Sequence, residues 1–218
     1  MSNIRLLDTL LKRMDARPAT ITRQMPAASG PERCVLLSDR SASMDADDYP
    51  PTRLTAGFDA ALEYLFARQA LVSPDLISVV LFDTDAEVVC ADVGLSDAVS
   101  VVSRLKAKHP IGSGTDINAG LLAAERLFRR EMANYRHHIV LLTDGQGGDP
   151  IRTARRLHDA GVLIDVIGIA GRPQDVAESE MRKVASTIDG LNHYRYIGNK
   201  AELLKHFKSI ATGLMRVQ

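Results

Sequence analysis

From position 33 onward, apolar residues fall into two kinds of cluster that take turns along the chain. Short continuous runs, Cys34-Val35-Leu36-Leu37 and residues 77–82, read as strands buried on both faces. Between them, Leu54, Phe58, Ala61, Leu62 and Leu65 return at three- and four-residue spacing, which predicts a helix with one apolar face. Asp83-Thr84-Asp85 then reads as a turn and Glu87-Val88-Val89-Cys90 as a third strand. So short a connection cannot hold a crossover helix, so strands two and three are expected to run antiparallel. The alternation continues with helices marked by Val99, Val102 and Leu105 and by Ile117, Leu121, Ala124 and Phe128, and a strand at 138–143. A helix on Ile151, Ala154 and Leu157 precedes a strand at 162–169, and Met181, Val184, Ala185 and Ile188 mark another helix. A weak strand at 193–197 leads into a closing helix on Leu203, Leu204, Phe207, Ile210, Ala211 and Leu214. The expected fold class is α/β: a doubly wound, mostly parallel six-stranded sheet with one antiparallel edge strand and helices on both faces.

Residues 1–31 break this rhythm and read as an extension to a single domain at 32–218. Ile4, Leu6, Leu7, Leu10 and Leu11 suggest a short amphipathic helix, and Pro18, Pro26, Ala27, Ala28, Ser29, Gly30 and Pro31 read as linker. The closing helix raises a different expectation. Its stripe of Leu203, Phe207, Ile210 and Leu214 must pack on the sheet, while its polar side carries Lys200, Lys205, Lys208 and Arg216 with only Glu202. Non-directional burial is therefore expected to be its main attachment.

Composition narrows the function classes. Of 218 residues, 45% are apolar and 25% charged, which suits an ordinary globular domain. Lys+Arg and Asp+Glu are both 27, so a basic nucleic-acid binder is not expected. No apolar run is long enough to span a bilayer, and Arg5, Asp8, Lys12 and Arg13 interrupt the leucines where a signal peptide would be continuous. Neither a membrane nor a nucleic-acid partner is expected, and the expected compartment is cytoplasmic. Two cysteines exclude a disulfide-dense scaffold or a Cys-rich zinc module. Cys34 and Cys90 fall on strands one and three, about two strand spacings of ~4.8 Å apart, so they read as buried thiols. The neutral total hides a gradient: residues 34–99 hold twelve acids against three bases, a net of −9, and residues 191–218 hold five bases against one acid, a net of +4.

In an open α/β sheet, ligands bind beyond the carboxyl ends of the strands, where the strand order reverses. Ser38-Asp39-Arg40-Ser41-Ala42-Ser43-Met44 follows strand one, and Thr143-Asp144-Gly145-Gln146-Gly147-Gly148 follows strand four. Ile111-Gly112-Ser113-Gly114-Thr115-Asp116 stands before a helix. Together the three loops offer two carboxylates and three hydroxyls: Asp39, Ser41, Ser43, Thr115 and Asp144. An oxygen-only set with two acids suits a hard divalent cation such as Mg²⁺. Neutral hydroxyls leave such a cation able to take a further anionic ligand. No imidazole or thiolate lies in these loops, which argues against zinc.

Asp39-x-Ser41-x-Ser43, the distant Thr115 in Ser-Gly-Thr-Asp, and Thr143-Asp144-Gly145 resemble the metal-ion-dependent adhesion site of von Willebrand factor A domains. The resemblance covers about residues 33–215, and the expected alternation of strands and helices, hairpin included, fits it. It implies that Ser41 and Ser43 bind the metal through their hydroxyls. Thr115 would bind in a ligand-competent state, with Asp39 and Asp144 acting directly or through water. The cofactor implied is Mg²⁺ (or Mn²⁺ or Ca²⁺), and a partner's Asp or Glu would complete the shell. The function implied is a cation-dependent protein–protein interaction, as adaptor or scaffold, and not an enzyme. Intracellular members of the family bring AAA+ ATPases and operon-encoded proteins into view as partners. One departure is Ala42, where the family very often has Gly; it adds a methyl to a tight loop but removes no ligand.

Other signals carry less. Asp45, Asp47 and Asp48 offer either a second cation site or a solvated loop. Residues 80–85 resemble the first motif of haloacid-dehalogenase-type phosphotransferases, but Glu87 stands where Thr or Val belongs. The alternative function is accordingly a Mg²⁺-dependent phosphohydrolase or phosphotransferase using Asp39 or Asp83. No base, nucleophile or leaving-group acid stands out beyond the metal-ligand set. His137 and His138 are neighbours in a strand and are expected to face opposite ways.

Overall fold

The computed structural model describes residues 31–129, 134–145 and 147–213. Residues 1–30, with the expected amphipathic helix, lie outside that set, as do Leu214 and Arg216. The strands are β1 Glu32–Asp39, β2 Leu76–Phe82, β3 Ala86–Val93, β4 Arg136–Thr143, β5 Leu163–Ile169, β6 Thr187–Ile188, β7 Leu191–Asn192 and β8 Tyr194–Ile197. The helices are α1 Arg53–Gln69, α2 Leu95–Lys108, α3 Ile117–Phe128, α4 Ile151–Asp159, α5 Glu178–Val184 and α6 Lys200–Ala211. A six-stranded sheet runs in the order β3-β2-β1-β4-β5-β8, parallel throughout except for the β2–β3 pair. The chain moves outward from β1 in one direction and then from β4 in the other. The crevice between the carboxyl ends of β1 and β4 is therefore the switch point, where loops diverge and leave room for a ligand. Among the described residues no helix is long and apolar enough to cross a membrane.

Continuous apolar strands arise because both sheet faces are covered. Leu36, Val79, Leu81, Val140 and Ile167 pack with α1, α2 and α6, while Val35, Leu37, Val80, Ile139 and Val166 pack with α3, α4 and α5. Side chains alternate along each strand, so neighbours feed opposite cores. Local chemistry sets the helix starts that matter for the crevice. Thr52 caps α1 by accepting from Thr55 N at 3.2 Å, and Asp116 caps α3 by accepting from Ala119 N at 3.1 Å.

One expectation is corrected and a second is supplemented. The helix read through Ile188 ends at Val184, and Ile188 lies exposed in a small antiparallel hairpin of β6 and β7. Asp189 and Gly190, at φ 51° and 80°, make its turn. Asp-Gly is a strong two-residue hairpin signal, and it overrides the helical spacing of Met181, Val184 and Ile188. The closing helix α6 is also not held by burial alone. Lys200 Nζ bonds Asp59 Oδ2 at 2.7 Å and Pro50 O at 3.0 Å, and at the other end Arg68 Nη1 donates to Ala211 O at 3.2 Å. Cys34 and Cys90 are both free, the first buried and the second half-buried on edge strand β3.

His137 and His138 do face opposite ways. His137 stacks on Phe128 with ring centroids 4.6 Å apart. His138 is buried, with Nε2 at 2.7 Å from Asp165 Oδ2, and Asp165 Oδ1 lies 2.8 Å from His193 Nδ1. Glu32 approaches the other ring nitrogen of His138 and also pairs with Arg136 and Arg68. Burial pulls the His138 imidazole down, but Asp165 and Glu32 outweigh it and hold the ring up at about 9. Burial opposes ionisation of Asp165 and Glu32 as well; the neighbouring histidines and, for Glu32, the arginines still hold both at about 2. Because the His138 value is raised in the fold, its stabilisation is complete below the ordinary histidine value of 6.5 and is lost as pH rises through about 9. The carboxylates add stability that is lost only as pH falls towards about 2. The melting temperature is therefore expected to decline between pH 6.5 and 9, more steeply than in His138→Gln. Equal slopes in the two proteins, by calorimetry across that range, would show that His138 is not the group responsible.

Candidate metal centre at the carboxyl edge of the sheet

Asp39 is the last residue of β1 and Asp144 directly follows β4, so strand pairing alone sets their backbones side by side. Beyond Asp39 the chain turns outward through a 3-10 turn, Ala42–Asp45, whose Met44 is fully buried and pins the loop down. Ala42 is not among the described residues with positive φ, so its methyl is accommodated where the family often has Gly. The buried hydroxyl of Tyr49 lies within reach of Ala170 O, at 3.2 Å, and of Ile197 O, tying the next stretch to the ends of β5 and β8.

Four of the five expected residues are linked by hydrogen bonds, Asp39 through the Ser41 backbone N and the other three through side-chain oxygens. Asp39 Oδ1 accepts from the Ser41 backbone N at 2.8 Å, and its Oδ2 accepts from Thr143 Oγ1 at 2.6 Å. Ser41 Oγ and Ser43 Oγ lie 3.1 Å apart, and Ser43 Oγ donates to Asp144 Oδ1 at 2.8 Å. Among the described residues Thr115 makes no side-chain hydrogen bond to these four. It borders them through close loop packing instead. A Cβ on Gly145 would stand 3.4 Å from Thr115 Oγ1, and one on Gly147 would stand 1.9 Å from Thr115 O. Gly147 is thus required by the close approach of two backbones.

The spacing of the donor set is compatible with a hard cation, although hydrogen-bonded oxygens have the same spacing. Adjacent ligands around an octahedral Mg²⁺, each at about 2.0–2.1 Å, are about 2.9 Å from one another. The Ser41–Ser43 and Ser43–Asp144 oxygen separations of 3.1 and 2.8 Å are of that size. All the atoms concerned are oxygens. Burial pushes the Asp39 carboxyl up to about 6 against the hydrogen bonds from Thr143 and Ser41 that favour its ionised form. A buried acid in that state gains from a nearby positive charge.

Sequence reading gave no role to two residues that support these side chains, although Thr143 stood within the Thr143-Asp144-Gly145 motif. Thr143 orients Asp39, as described. Arg53, the first residue of α1, donates from Nη1 to Asp144 Oδ2 at 2.7 Å. The same guanidinium grips Asp48, with Nε to Oδ1 at 2.7 Å and Nη2 to Oδ2 at 2.6 Å. The available signal was that Arg53 is one of only three bases in the strongly acidic segment 34–99. Asp48 is therefore taken by Arg53, and Asp45 lies 2.7 Å from His109 Nε2. Among the described residues no group of three or more His, Cys, Asp or Glu side chains is arranged to hold a metal, neither in the acid run nor at the oxygen set, which has only two carboxylates. Asp83 is likewise engaged: its Oδ1 accepts from Asp85 N at 3.0 Å and its Oδ2 from Arg40 Nε at 3.2 Å. Gly112 packs directly on it, since a Cβ there would meet Asp83 Oδ2 at 1.8 Å. Asp83 thus closes the β2–β3 turn, and nothing in its surroundings favours the phosphotransfer alternative.

Comparison with known proteins supplies the remaining findings. A family model described as von Willebrand factor type A domain matches residues 34–146, just over half of the chain. The collagen alpha-6(VI) chain of Mus musculus is 31% identical over 85 residues, covering 35% of this chain; the chain spans only 4% of that protein's length. The crystal structure of BatB from Bacteroides thetaiotaomicron superposes with a TM-score of 0.67 at 17% identity, covering 84% of this chain and 98% of that one. Proximal thread matrix protein 1 of the mussel byssus, with a zinc-occupied metal-ion-dependent adhesion site motif, gives a TM-score of 0.68 at 17% identity, covering 84% of this chain and 48% of that one. At such identities the structural likeness speaks for the fold.

Proposed function

The chain belongs to the von Willebrand factor type A domain family, and we propose that it is a protein-binding module whose partner contact depends on a divalent cation. Domains of this family are generally protein-interaction modules and generally not enzymes. The observation that carries the finer reading is the hydrogen-bonded cluster of Asp39, Ser41, Ser43 and Asp144 at the switch point, with Thr115 beside it.

In this reading the hydroxyls of Ser41, Ser43 and Thr115 and the carboxylates of Asp39 and Asp144 hold the cation. When bound, the cation supplies a Lewis-acidic position for a carboxylate from another protein. The chain's own residues do the preparation. Thr143 and the Ser41 backbone N fix the Asp39 carboxylate, so it needs little reorganisation. Ser43 fixes one oxygen of Asp144 and Arg53 the other. Only two acids contribute, so a dication is at most neutralised and an incoming Asp or Glu forms a charge-assisted contact. Mg²⁺ fits the oxygen-only set best, with Mn²⁺ or Ca²⁺ as substitutes; the zinc in the mussel protein's motif also supports a divalent ion at such a site.

The test is affinity capture of partners from native lysate with and without chelator, beside Asp144→Ala. Proteins retained by the wild-type domain are expected to be lost on chelation, restored by added Mg²⁺, and absent from the variant. A partner that stays bound in both the chelated and the Asp144→Ala samples would place the interaction elsewhere on the molecule.

A further inference from the structure

The metal-site acid Asp144 is already paired with a cation belonging to the chain. Arg53 Nη1 stands 2.7 Å from Asp144 Oδ2, and the Arg53 side chain is only 14% exposed. Its Nε and Nη2 are clamped by both oxygens of Asp48, so the guanidinium has a fixed position and orientation. The hold is well supported: Thr52 caps the helix that Arg53 opens, and the Arg53 backbone N bonds Ala46 O at 2.9 Å. Ser43 meanwhile bonds the other oxygen of Asp144. The carboxylate therefore bridges a fixed positive charge and the hydroxyl that lines the centre.

We propose that Arg53 is a built-in counter-cation that sets the strength of the centre: it offsets the charge of Asp144, lowers affinity for the metal, and leaves the bound metal in need of an outside carboxylate. This rests on the reading of the site as a divalent-cation centre. Asp39, Asp144 and Asp48 carry three negative charges, and Arg53, shared between Asp48 and Asp144, offsets one of them. A dication bound there meets less negative charge than the three carboxylates alone would present, and it remains electrophilic. Even with the dielectric of bulk water, a unit charge about 6 Å from a dication shifts binding by about tenfold, and more in a partly desolvated crevice. Arg53 thus acts through Asp144 as a positioning and tuning residue. A purely structural role has the opposite sign, because losing support for Asp144 would weaken metal binding.

The experiment is calorimetric titration of Mn²⁺ alone into the full chain, comparing wild type, Arg53→Gln, Arg53→Lys and Asp48→Asn, each checked for folding by circular dichroism. Arg53→Gln is expected to bind Mn²⁺ about tenfold tighter or more, with Arg53→Lys within a few-fold of wild type. Asp48→Asn frees the guanidinium to act on Asp144 alone and is expected to bind more weakly. It also keeps the proposal open to refutation if Arg53→Gln does not fold. Equal or weaker binding by a folded Arg53→Gln overturns the proposal, and so does an unchanged Asp48→Asn. If neither wild type nor Arg53→Gln binds Mn²⁺, the metal reading itself fails, a result distinct from equal binding by both.

Discussion

Millimolar Mg²⁺ or Mn²⁺ is expected to raise the melting temperature of this domain by about 5–10 °C, and Ser41→Ala with Ser43→Ala to abolish the rise. A ligand that binds only the folded state stabilises it by mass action, by about 2.7 kcal/mol at a hundred times its dissociation constant. For a domain of this size, each kcal/mol is worth about 2–4 °C. The two serines supply hydroxyls 3.1 Å apart, at the spacing of neighbouring ligands, and the unfolded chain has no reason to keep them so. Ser41 is buried and Ser43 bonds Asp144, so the double variant's own metal-free melting temperature is the baseline for its shift. Differential scanning fluorimetry over a metal series reads both effects. A wild-type melting temperature that stays flat to about 10 mM metal would remove the reason for assigning these residues to a cation.

A second large effect is expected far from that edge. Arg68→Met should destabilise the domain by about 3–5 kcal/mol, because it leaves a buried acid without its counter-charge. Arg68 Nε lies 2.6 Å from Asp75 Oδ2, and both side chains are buried. The other oxygen of Asp75 accepts from Glu32 N at 2.8 Å and Ser73 Oγ at 2.7 Å, so the carboxylate is held in place and cannot turn out to water. The same arginine donates to Ala211 O at the end of α6, a carbonyl that would lose its partner. Urea unfolding should show a lower midpoint with an unchanged slope. Arg68→Met with Asp75→Leu should recover part of the loss, since removing both partners avoids the stranded charge. A loss below about 1 kcal/mol for Arg68→Met would mean that water replaces the guanidinium and that this edge of the sheet is less closed than the geometry indicates.

The sheet was legible because its central strands are short apolar runs with both faces covered, and because the Asp83-Thr84-Asp85 turn is too short for anything but a hairpin. The oxygen set was legible for a related reason. Strand ends bring Asp39 and Asp144 together, and Ser41 and Ser43 follow within four residues of Asp39, so order along the chain already implies proximity. What could not be read depends on side chains that reach across elements. Arg53 is ten residues beyond Ser43 and enters the site only because α1 begins over the end of β4. His138, Asp165 and Glu32 sit on three different strands, and their meeting depends on register. The polar anchors of α6 come from Asp59, Pro50 and Arg68, all on or next to α1, which no inspection of the closing helix alone would disclose. The β6–β7 hairpin was misread because three apolar residues at helical spacing masked the Asp189-Gly190 turn.

The claim on which the rest depends is that Asp39, Ser41, Ser43, Thr115 and Asp144 hold one divalent ion. Crystals grown with Mn²⁺, with anomalous diffraction recorded above the manganese edge, test it directly. The account predicts one strong peak at about 2.1–2.2 Å from Ser41 Oγ and Ser43 Oγ, within reach of Asp144 and Thr115, and no such peak in the Ser41→Ala, Ser43→Ala protein. No peak at that edge of the sheet, or a peak only among the exposed acids Asp45 and Asp47, would contradict it.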